Sequence, residues 1–123
     1  MQAVNFKDKF PLYTTTVSKE RSMDELIEYF KAKIEAHPVA GFITLFDHYA
    51  YTTAKEVHEV AEDIIDVKNV VFCFGKEIQN PLVPAVRPRS IAIVETKENF
   101  TISFLEAPNE TLNQVMIDWV KAL

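Results

Sequence analysis

A chain of 123 residues with 48% hydrophobic and 25% charged side chains has the make-up of one globular domain, about 14 Å in radius of gyration, and not of a disordered tail or a fibre. One cysteine, Cys73, excludes an internal disulfide, and two glycines, Gly41 and Gly75, exclude a glycine-rich phosphate loop or dinucleotide fingerprint. The net charge of −5 is uneven: Glu20 to Asp66 holds four basic and eleven acidic side chains, Val67 to Asn99 five basic and three acidic, a field that repels nucleic-acid phosphates.

No apolar run approaches the roughly 20 residues of a membrane helix. Met1 to Lys9 is polar and mixed in charge, without the apolar core of a secretion signal, so the reducing cytoplasm is the expected compartment. Leu12 to Val17 (LYTTTV) is β-branched and aromatic and is expected as the first strand. After the polar turn Ser18 to Arg21, Ser22-Met23-Asp24-Glu25 has the form of a capping box, in which hydroxyl and carboxylate each take up a free backbone N–H. Met23, Leu26, Ile27, Phe30 and Ile34 then recur at helical spacing. His37-Pro38 ends this helix, because the residue before proline is driven out of the α region.

Gly41 to Phe46 (GFITLF) is apolar at nearly every position, the pattern of a strand covered on both faces and central in its sheet. Asp47-His48 follows. A second helix is expected over Ala54 to Ile65, with Val57, Val60, Ala61 and Ile64 inward and Glu56, Glu59, Glu62 and Asp63 outward. Asn69 to Gly75 (NVVFCFG) reads as another central strand. Residues 76–88 contain Pro81, Pro84 and Pro88 and form the longest loop. Ser90 to Thr96 and Phe100 to Glu106 flank Lys97-Glu98-Asn99 as a hairpin. Asn109 is placed to cap a last helix striped by Leu112, Val115, Met116, Trp119, Val120 and Leu123. The order β-α-β-α-β-β-β-α defines one α+β domain over residues 1–123, a mainly antiparallel sheet of about five strands with three helices. So few helices leave a sheet face in need of cover, which points to a homodimer.

An amphipathic helix (MDELIEYFKAKIEA), a strand ending in Asp-His (FITLFDH), a helix, a strand ending in glycine (NVVFCFG), a proline-bearing loop and a closing hairpin succeed one another between Leu12 and Pro108. This succession resembles the bacterial "domain of unknown function 302" family, a small α+β fold. Asp47-His48 matches the family's Asp-His, Gly75 the first residue of its Gly-Asn-Pro, and Pro88 its proline before the fourth strand. Lys76 and Glu77 stand in place of Asn-Pro, and Tyr49 and Tyr51 in place of small residues. The resemblance implies a fold and no biochemical activity.

Asp47 and His48 attract a chemical role first, since an imidazole shuttles protons or binds metal and a carboxylate can orient it. Successive strand residues face opposite ways, so both enter one pocket only if the strand breaks at Asp47. The alternative is that Asp47 caps the following turn while His48 packs at the strand end. His48, His58, and His37 or Cys73 lack the i, i+4 or C-x-x-C spacing of a metal site, and Cys73 reads as a small core residue. No metal and no cofactor is expected. No nucleophile elbow surrounds Ser18, Ser22, Ser90 or Ser103. Arg87 and Arg89 form a basic pair that receives an anion or sits as surface charge. If the loop 76–88 folds over the Asp47-His48 end, then Tyr49, Gly75, Pro81 and Arg87 wall a cleft there. The expectation is a dimeric module that binds a small molecule or a partner through Asp47, His48, Tyr49, Gly75, Pro81 and Arg87, and engages neither nucleic acid nor membrane. The alternatives are a small enzyme with His48 as general acid or base, and a metal- or haem-binding accessory protein.

Overall fold

Strand formation begins before the first β-branched run. In the computed structural model, which describes residues 1–56, 59–75 and 77–123, β1 (Gln2–Phe6) pairs antiparallel with β2 (Phe10–Val17). Lys7 (φ 52°) and Asp8 (φ 61°) are left-handed, and Lys9 N donates to Phe6 O at 3.3 Å. This is the mirror-image hairpin turn whose twist suits the flanking strands.

The first helix, α1 (Met23–Ala36), starts as its residues dictate. Glu25 N donates to Ser22 Oγ and Ser22 N to Glu25 Oε1, each at 3.1 Å, so two orphan donors are satisfied. Then come β3 (Ala40–Asp47), the short α2 (His48–Thr53), β4 (Ile64–Phe74), a 3₁₀ turn (Val83–Val86), β5 (Arg89–Thr96), β6 (Phe100–Leu105) and α3 (Glu110–Lys121). Asn109 caps α3 by accepting from Leu112 N at 3.0 Å. The six strands form one sheet in the order β1-β2-β6-β5-β4-β3, with every neighbouring pair antiparallel. The class is therefore α+β in a single domain, with β1 as the strand beyond the expected five.

Period-2 alternation sorts the central strands onto two faces. On one face Val70, Phe72, Phe74, Ile91, Ile93, Phe100, Ile102 and Phe104 are buried against Leu26, Phe30 and Ile34 of α1 and Met116, Trp119 and Val120 of α3. Full burial of a side chain of this size contributes about 1.5–3 kcal/mol. Trp119 stacks on Phe74 with ring centroids 5.7 Å apart. Asn113, buried on α3, is satisfied because its Oδ1 accepts from Ala107 N at 2.9 Å. The opposite face carries no long helix.

Two expectations are corrected. Gly41 to Phe46, expected as a central strand, pairs as β3 only with β4 and lies at the sheet margin. A continuous apolar run signals two-sided burial mainly in parallel sheets. In this antiparallel sheet Gly41, Ile43 and Thr44 are exposed, and a bulge between Phe42 and Thr44 turns Ile43 outward. The second helix occupies His48–Thr53 and not Ala54 to Ile65. Glu59 to Ala61 have no regular structure, and Ile64 and Ile65 belong to β4. Their β-branched side chains fit a strand, and pairing with Glu95 and Thr96 of β5 draws the segment into the sheet. Val57 and His58 of that expected helix lie outside the described residues, as does Lys76 of the loop.

Candidate functional site

Strand register decides which of the candidate residues can meet. Asp47 pairs with Lys68 at one end of the β3–β4 ladder and Ala40 with Phe74 at the other, six residues along β4, a separation of about 20 Å. Gly75 N donates to Val39 O at 2.7 Å, so the chain leaves β4 at the Ala40 end. The single cleft joining Asp47, His48 and Tyr49 to Gly75, Pro81 and Arg87 therefore does not form. The ladder holds the two groups apart.

At the first end, Asp47 and His48 also diverge. Asp47 Oδ1 accepts from Ala50 N at 3.2 Å and so caps α2, and it meets Lys68 Nζ at 3.2 Å. Lys68 Nζ is held in addition by Asp66 Oδ1 at 2.6 Å. The Ala50 N–H, followed by the Lys68 ammonium, holds the Asp47 carboxyl below its usual range. Burial works against the charge on Lys68, but its bonds to Asp66 and Asp47 outweigh this and raise its pKa.

His48, half-buried, turns to the other side. Its ring stacks on Phe46 at 4.7 Å, and its Nδ1 lies 2.8 Å from Asn69 Oδ1. Asn69 Nδ2 donates onward to Ser90 Oγ at 3.0 Å. Imidazole, amide and hydroxyl thus form a row from the first residue of α2 across β4 and β5, on the face without long helices. Asn69 and Ser90 were not read as site residues from sequence. The available signal was a polar residue opening an otherwise apolar strand. Tyr49 is half-buried on α2, and Tyr51, 63% exposed, meets the edge of Phe46.

At the second end, Arg87 is the organising side chain. Gly75, at φ +92°, lies against its guanidinium so closely that a Cβ there would stand 2.6 Å from Nη2. Arg87 Nη1 donates to Glu77 O at 2.8 Å. The guanidinium borders two hollows. One, of about 390 Å³, is lined by Val39, Gly75, Glu77, Gln79, Val83 and Arg87. The other, of about 340 Å³, has Ile43, Cys73, Ile78, Pro84 and Pro88 with Gly75 and Arg87. Pro81, exposed, borders neither.

The expected basic pair separates. Arg89 reaches back to the Leu105 carbonyl, its Nε is buried without a partner, and burial lowers its pKa. No carboxylate among the described residues lies within ion-pair distance of either arginine. Among the described residues no three His, Cys, Asp or Glu side chains are grouped to hold a metal ion. No helix among them is long and apolar enough to cross a membrane.

The fold and its sites define a small α+β protein with a six-stranded antiparallel sheet, two long helices on one face and polar groups at both ends of the β3–β4 margin. The chain belongs to a family of unknown function, DUF6858, which it matches over residues 1–123. That match carries no link to the domain of unknown function 302. No curated protein and no solved structure matches the chain.

Proposed function

We propose that this protein is a cytoplasmic binding module that works as a homodimer, with the face of its sheet opposite α1 and α3, free of long helices, as the surface between two copies. One observation carries the reading. Register sets Val4 of β1 beside Leu12 of β2, Leu12 beside Leu105 of β6, and Phe6 beside Phe10, all on that face. Val4, Phe6, Phe10 and Leu105 are 41–53% exposed, a contiguous apolar patch of the kind that marks an interaction site.

The size of the face supports a second copy as the occupant. Six strands span about 25 Å and their length about 20 Å, an area of the order that each partner of a stable dimer buries. Such a sheet is also self-complementary under a two-fold axis. Binding is favoured over catalysis because the Asp47 carboxylate is engaged by Ala50 and Lys68 and does not orient His48. The His48–Asn69–Ser90 row and the hollows beside Arg87 then serve as recognition groups at the margin of the shared face.

Sedimentation equilibrium tests the reading. At micromolar concentration the protein is expected to have twice the chain mass, and Leu105→Lys is expected to give a folded monomer, since Leu105 is 47% exposed in the single chain and a lysine there need not be buried. A monomer for the unaltered protein overturns the proposal, as does a dimer indifferent to Leu105→Lys together with Phe6→Lys.

A further inference from the structure

The second hollow has a composition that specifies its occupant. Ile43, Cys73, Ile78, Pro84 and Pro88 make its walls apolar, and Arg87 is the charged side chain on its lining. We infer that this hollow binds a small apolar carboxylic acid, with the carboxylate on Arg87 and the hydrocarbon body between Ile43 and Ile78. The inference rests on reading the molecule as a binding module and names the ligand class of one of its margins.

Three features lead to that class. A guanidinium offers a planar fork of donors that fits a carboxylate edge-on. One of its N–H groups is fixed on Glu77 O, and no carboxylate among the described residues stands within ion-pair distance of the rest. The fork is also positioned: it lies against Gly75, in space that a Cβ would fill, and one N–H is held by Glu77 O, so it is in place before a ligand arrives. The volume, about 340 Å³, falls at the small end of ligand sites and suits a medium-chain or aromatic acid.

A phosphate group is a poorer fit, because a dianion calls for several converging donors and, among the described residues, Arg87 alone supplies charge on this lining. The other hollow is also a poorer host for an anion, since the Glu77 residue on its lining carries a carboxylate. The bulge at Ile43 adds specificity. Ile43 is the unpaired residue of that bulge and is 53% exposed, so its side chain is free to form an apolar wall of the hollow.

Titration of the ¹⁵N-labelled protein with octanoate, and separately with octanamide, tests the inference. Octanoate is expected to bind with a dissociation constant below about 1 mM and about tenfold more tightly than the amide. The shifts are expected to centre on the amides of Cys73 and Gly75 and the Nε–H of Arg87. Arg87→Gln is expected to bring octanoate down to the level of octanamide. Ile78→Asp, at a position 70% exposed and so free to change without unfolding, is expected to weaken the acid more than the amide. Equal binding of acid and amide, shifts centred elsewhere, or no binding overturns the inference. Sedimentation of the same samples keeps the two proposals apart. A dimer that ignores octanoate removes only the ligand, and a monomer that binds it removes only the dimer.

Discussion

Asp47 shows how a side chain that attracts a chemical role in sequence is engaged by a helix cap and an ion pair in place. It ends a strand, accepts from Ala50 N–H and holds Lys68, so its acidity serves the turn. That role was legible, because aspartate at a strand-to-helix junction is a capping residue by chemistry. The partner of His48 was not, since Asn69 lies 21 residues away and meets the ring only through β3–β4 register. The role of Arg87 was half legible: the charge is local, but its seat on Gly75 depends on how the loop returns. The lowered pKa of Asp47 sets a pH dependence. Its charge stabilises the folded state fully above the unfolded value of about 3.9, and this is lost as pH falls through that value to the folded one. Asp47→Asn keeps an acceptor for Ala50 N–H and removes only the charge. The variant is expected to be less stable than the parent between about pH 5 and 8, with the difference closing below about pH 4. Urea unfolding followed by Trp119 fluorescence measures the gap, and a gap that does not change with pH contradicts the assignment.

At the scale of elements, α1, α3, the β5–β6 hairpin and β4 follow from local pattern: a capping box, apolar residues at helical spacing, alternation around Lys97-Glu98-Asn99. What local pattern missed was set by pairing. Ile64 and Ile65 suit either the face of a helix or a strand, and pairing of Ile64 with Thr96 and of Asp66 with Glu95 decided for the strand. β1 was missed because Lys7-Asp8 lacks the Asn-Gly or Asp-Gly signature, although it adopts the turn that those pairs favour. That mismatch has a measurable cost. A left-handed residue other than glycine is disfavoured by about 1 kcal/mol, and the greater freedom of glycine in the unfolded chain offsets about half of it. Asp8→Gly is therefore expected to stabilise the β1–β2 hairpin by about 0.5 kcal/mol, slowing hydrogen exchange of the β1 amides about twofold. Exchange is the right measurement because an edge strand opens locally without global unfolding. Unchanged or faster exchange would show that the turn is not strained at Asp8.

For the whole molecule, charge and apolar surface act in opposite directions. Each chain carries a net charge of −5, concentrated between Glu20 and Asp66, while the patch of Val4, Phe6, Phe10, Leu12 and Leu105 bears none. Two such copies with centres about 25 Å apart repel by about 4 kcal/mol in unscreened water. At 0.01 M salt the screening length is about 30 Å, so about 1–2 kcal/mol of that repulsion survives; at 0.15 M it is about 8 Å and almost none does. An apolar interface is itself little affected over this range. Association through the helix-free face is therefore expected to tighten about tenfold between these salt concentrations, whereas a dimer built on ion pairs would loosen. Sedimentation equilibrium across the series separates the two, and weakening with salt would place the contact on the charged helices and not on the sheet. The same balance accounts for the distribution of residues in the chain. Acidic groups crowd Glu20 to Asp66, the segment that contains α1, whereas Val4, Phe6, Phe10, Leu12 and Leu105 lie outside it, so the proposed dimer brings together the surfaces with least charge.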